Sequence, residues 1–164
     1  MALDDDNELL MKQLPHSVEA EQAVLGAMLI AWLESLTGLV GAESGINVTA
    51  AALVGGKMSA TYLGLFVLGI LCNICIFIAV NGYAKNPHEV GKYLALFLGV
   101  SVFILCGTEH SVADMYYWSI SGVLYDQPRE SFLRILVISL GNMVGGVFLP
   151  LLEKWKAKLD GAEA

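Results

Sequence analysis

The chain has 164 residues, of which 56% are apolar and only 15% charged, with a formal net charge of −7. A soluble globular domain carries roughly 25% charged residues, so this composition argues against a water-soluble fold and for a membrane protein. The acidic balance lies largely at the N-terminus, and nothing in it offers the basic surface that a nucleic-acid partner needs.

Asp4, Asp5, Asp6 and Glu8 open the chain, and apolar sequence begins only near residue 23. That start lacks the basic segment of a cleavable signal peptide. Leu14 to Ile30 reads as a helix. Pro15 precedes Ser17 as the N-cap, acids fill the first turn, and Val18, Val24, Leu25, Met28 and Leu29 are the apolar positions. These residues resemble the opening helix of the N-terminal domain of replicative DNA helicases, with His16 in a surface or turn position. The resemblance stops there. Gly55-Gly56-Lys57-Met58 is not a P-loop, because Ala51 stands where the first glycine belongs and Met58 where Ser or Thr belongs. A helicase activity is excluded.

Residues 1–31 are therefore read as an N-terminal tail and helix, 32–156 as the transmembrane region, and 157–164 as a C-terminal tail. Ala23 to Val40 is a weak span interrupted by Glu34. Thr37 to Gly56 reads as a Gly/Ala-rich connection. Met58 to Ala84 has no charge, and a bilayer takes about 20 residues of helix, so this is the clearest span. Tyr93 to Thr108 and Ser111 to Tyr125 form a second span, broken at its polar centre. Phe132 to Leu152 is a third, with Arg134 near one end where it is expected to snorkel to the interface. The spans are set at 61–83, 93–124 and 132–152. Lys85, Lys92, Lys154, Lys156 and Lys158 outweigh Arg129 of the 125–131 loop, which assigns the 85–92 linker and the tail to the cytoplasm. Cys72, Cys75 and Cys106 all lie in apolar spans and lack the companion ligands of a zinc site. They are read as packing residues, and no metal or cofactor is expected.

The break carries the chemistry. Gly107-Thr108-Glu109-His110-Ser111 places ionisable groups at membrane depth, where they face one another or a pathway. Gly107 interrupts the helix, and the resulting half-helix ends are expected to point into the protein. Gly141-Asn142-Met143-Val144-Gly145-Gly146 allows close approach of another helix, while Asn73 and Asn142 need partners within the bundle.

These residues together resemble a known family. Lys57, Gly69-Ile70-Leu71-Cys72-Asn73, Ala79-Val80, Phe103, the Gly107-x-Glu109-His110-Ser111-x-Ala113-x-Met115 segment and Gly141-Asn142-x-Val144-Gly145-Gly146 occur in order. From about residue 32 to 156 the chain is similar to the second half of the formate/nitrite transporter family. The resemblance implies an all-α membrane protein, half of an aquaporin-like helical bundle with one helix broken near Gly107–Ser111. It also implies assembly as a homo-oligomer, a pentamer in the family, in a bacterial-type inner membrane.

The same resemblance implies a pathway for small monovalent anions with proton exchange at His110. Lys57 makes the vestibule electropositive, Phe103 and Ile76 line a hydrophobic constriction, and Asn73, Glu109 and Asp114 complete the pathway set. Asp114 stands where the family usually has asparagine. No counterpart is seen for the first three-helix half or its pore-facing threonine, so the expected function needs a partner half. The alternative expectation is a truncated or fused membrane protein that does not transport and serves as a remnant or interaction module.

Overall fold

Long uncharged runs become helices because hydrocarbon offers the backbone no hydrogen-bond partners, so each segment must satisfy its own N–H and C=O groups. The computed structural model describes residues 17–37 and 45–162, and every element among them is helical. In chain order these are α1 (Ser17–Leu36), α2 (Gly45–Ser59), α3 (Tyr62–Lys85), α4 (Glu89–Leu105), α5 (Ser111–Ile120), α6 (Val123–Asp126) and α7 (Pro128–Ala162). The expected Ser17 cap and the expected position of His16 rest on side chains outside the described residues. α3 starts at an N-cap, where the Thr61 hydroxyl accepts from Gly64 N–H. Its 24 residues rise about 36 Å at 1.5 Å each, enough to cross a bilayer. α7 is also long and apolar enough to cross, and less than a third of either helix's apolar window is buried in the protein.

α3 and α7 run parallel and in close contact. A Cβ on Gly141 would strike the Phe66 carbonyl, and one on Gly145 the Ile70 carbonyl. Gly69 is equally tight, with the Ile138 carbonyl 2.8 Å from where its Cβ would sit. The G-x-x-x-G therefore does what its spacing predicts, admitting a neighbouring backbone where a side chain would hold it off. α4 returns antiparallel to α3, meeting it through small residues: Gly99 lies against Ala79, and Gly82 against Ala95. No α4 side chain is buried, and Val90, Tyr93, Phe97 and Ile104 all face outward. Such a surface is costly in water and natural in lipid. The main core joins Val54, Leu65, Trp118, Ile135 and Ile138 from four helices.

Three expectations change. Residues 45–56, read as connection, belong to α2, because Ala50-Ala51-Ala52-Leu53 is strong helix-forming sequence that the flanking glycines do not overcome. The 125–131 loop is almost entirely helical: α6 ends at Asp126 and α7 starts at Pro128, a residue suited to the first helical position. Arg134 does not snorkel. It is 8% exposed and its guanidinium turns inward.

Candidate functional site

The break is a defined turn rather than a loss of structure. α4 ends on a Schellman motif: Gly107 N–H donates to the Ile104 carbonyl and Thr108 N–H to that of Phe103. Gly107 has φ +62°, a left-handed conformation that glycine adopts without strain. The chain then runs extended through His110, which caps α5; its ring Nδ1 accepts from Ala113 N–H at 3.4 Å. Neighbouring helices satisfy the intervening backbone. Glu109 N–H donates to the Leu68 carbonyl on α3. The Asn142 amide on α7 donates to the carbonyls of Glu109 (2.8 Å) and Gly69 (2.9 Å), and its oxygen accepts from Ser111 N–H (2.9 Å). One buried asparagine thus ties both sides of the break to α3.

This turn assembles an ionic cluster. Lys57 Nζ, near the end of α2, pairs with Glu109 Oε2 and with Asp114 Oδ1, the latter at 2.8 Å. Glu109 and Asp114 are both buried, and Asp114 Oδ2 has no hydrogen-bond partner. Arg134 fixes the end of α2 that carries the lysine. Its Nη1 donates to the carbonyls of Lys57 (2.8 Å) and Ala60 (2.7 Å), and its Nε to Glu130 (2.9 Å). The Lys57 carbonyl, in the last turn of α2, also accepts from Ala60 N–H, and the Ala60 carbonyl lies just past the helix end.

Lys57, Glu109, His110, Asp114 and Phe103 line one groove of about 510 Å³, together with Thr108, Leu68 and residues of α2 and α5. The Phe103 ring stacks on that of His110 with centroids 6.1 Å apart. A second, open groove of about 490 Å³ meets His110 and Phe103 and is bordered by α1 and α5, where Tyr116 donates to Glu34 at 2.6 Å. His110 therefore lines both grooves. Neither Asn73 nor Ile76 lines these grooves. Asn73 instead donates to the Asn142 carbonyl at 2.6 Å, joining α3 to α7. The sequence reading missed Arg134, Tyr116 and Glu34 as site residues. Glu34 and Arg134 carried a signal, each a charge inside an apolar run, whereas Tyr116 carried none.

A membrane-type helical bundle whose middle helix breaks at a buried ionic cluster, beside a groove, has the architecture of a transport protein. Residues 22–156 match the formate/nitrite transporter family, and the chain belongs to it. The transporter YwcJ of Bacillus subtilis, itself uncharacterised, is 30% identical over 131 residues, covering 77% of this chain and 50% of that protein. The formate channel FocA of Haemophilus influenzae is 27% identical over 146 residues, covering 74% and 51%. The nitrite transporter NirC of Salmonella typhimurium is 31% identical over 105 residues, covering 62% and 39%. A solved pentameric formate channel with formate bound superimposes with a TM-score of 0.68 at 22% identity, over 83% of this chain and 62% of that one. That likeness shows the fold.

The chain spans about half the length of the curated relatives it matches. These relatives are named as channels and transporters, not as enzymes. The helicase resemblance of residues 14–30 gains no support. The family match starts at residue 22, inside that segment and ahead of the expected start at 32, and α1 runs unbroken through residues 30–34. A short helix of small, apolar and acidic residues does not discriminate between two such families.

Proposed function

We propose that this chain forms one wall of a pathway for small monovalent anions of the formate/nitrite class, with His110 as the proton-exchanging group. The observation that carries this reading is the joint placement of Lys57 and His110 on one groove at the helix break. A small anion loses much of its hydration on leaving water for an apolar passage. An ammonium at the groove offsets part of that loss and draws the anion in. The apolar face beyond it, where Phe103 covers His110, favours a neutral species. Histidine is the side chain suited to supply a proton near neutral pH. Because Nδ1 accepts from Ala113 N–H, the neutral ring carries its proton on Nε2, leaving that nitrogen to exchange with the groove.

Leu53 and Ile104, which line the same groove, stay 45% and 62% exposed, so a closed pathway needs a further protein wall there. A partner half, and assembly as a pentamer in a bacterial-type inner membrane, complete the proposal. The purified chain, reconstituted in proteoliposomes together with the first three-helix half of a related formate channel, is expected to take up formate. His110→Ala is expected to lower uptake at least tenfold, the scale for losing a positioned proton-exchange group. No uptake above that of protein-free vesicles would end the transport reading and leave a non-transporting membrane component.

A further inference from the structure

Lys57 offers its charge to the groove, yet two carboxylates already hold it. An ammonium has three N–H donors; here one meets Glu109 and one Asp114. Formally, two carboxylates against one ammonium leave an excess negative charge where an anion pathway calls for a positive one. The two acids are not held alike. Glu109 is pinned through its backbone on both sides, to Leu68 and to Asn142. Asp114 Oδ1 touches Lys57, while Oδ2 is buried with no hydrogen-bond partner. The Asp114 side chain is 2% exposed and that of Lys57 13%, so the lysine is the member an incoming ion reaches first.

We propose that Asp114 is a built-in counter-ion that competes with the transported anion for Lys57, and so sets the affinity of the pathway. The inference rests on the anion-pathway reading and adds to it a residue that determines specificity. An anion reaching the groove meets the third ammonium donor, the one that neither carboxylate holds. It then sits beside the Asp114 carboxylate, a second negative charge on the same lysine. That like-charge contact, strong where little water screens it, opposes anion occupancy and speeds release.

The test compares Asp114→Asn and Asp114→Glu with the wild-type full chain. Formate uptake into proteoliposomes that also hold the partner half is measured against concentration, and formate binding to the detergent-purified protein by titration calorimetry. The asparagine is isosteric and removes only the charge, so the helical circular dichroism should be unchanged. KM and Kd for formate are both expected to fall about tenfold in Asp114→Asn, as for removal of one close charge contact. Asp114→Glu, which retains the charge, should show no such fall. An unchanged or weaker Kd in Asp114→Asn overturns the proposal. If no variant and no wild-type sample takes up formate, the transport reading fails by itself, and the calorimetric comparison still decides the role of Asp114.

Discussion

Every polar atom of the Asn142 side chain is engaged at the break: two donors on the Gly69 and Glu109 carbonyls, one acceptor on Ser111 N–H. An amide is the side chain that meets this demand, since a carboxylate would face two carbonyls without a hydrogen to offer. Asn142→Leu keeps the branched shape and leaves the Glu109 carbonyl and Ser111 N–H without their partner. Each unmade bond costs about 1–3 kcal/mol, so the variant is expected to lose about 2 kcal/mol or more, read as a lower melting temperature in detergent. Unchanged melting would refute the tie between α7 and the break. The types of residue needed here were legible in the sequence, because an asparagine and a Glu-His pair stand out against apolar neighbours. Which atoms they bond was not, because Asn142 and Glu109 meet only after α3, α5 and α7 have packed.

Single helices show the same division. The end of α4 follows from local chemistry: Gly107 takes φ +62°, and the preceding turn closes on it with short-range bonds. The end of α2 does not. Arg134, 74 and 77 positions further along the chain, donates to the Ala60 carbonyl just past the helix and to that of Lys57 in its last turn. The same guanidinium stands 5.0 Å over the Tyr62 ring, while Tyr62 donates to the Glu130 carboxylate that Arg134 also holds. From sequence, an arginine near the end of a span reads as snorkelling outward. Burial against a helix terminus is a tertiary event that no local pattern signals. Arg134→Met keeps the packing stem and removes the fork, leaving the Ala60 carbonyl unpaired and that of Lys57 with Ala60 N–H alone. It is expected to cost about 1–3 kcal/mol and to raise KM for formate as Lys57 loses its fixed position. Normal KM with a normal melting temperature would show that α2 is held by other contacts.

At the scale of the whole molecule, contacts set which ends lie together. Lys85 reaches Glu153 at 3.3 Å, placing the end of α3 beside the distal part of α7. Tyr62 and Glu130, 2.8 Å apart, join the starts of the same two helices at the opposite end. The 86–88 linker and residue 127 therefore lie at opposite ends of the bundle, as the order of the spans predicts; the charge bias assigns the linker's end to the cytoplasm. We expect His88→Cys to be labelled from the cytoplasmic face and Gln127→Cys from the other; labelling of both from one face would overturn the assignment. The sequence by itself determined that the chain is helical and membrane-type, where the middle helix breaks, and which ionisable residues stand at that break. Those properties follow from uncharged run length and from glycine, and both act locally. Only the tertiary structure decided that Lys57 is shared by two carboxylates, that His110 lines two grooves, and that Asn73 serves packing instead. The physical reason is that buried charges and amides take their meaning from partners, and here those partners lie on other helices.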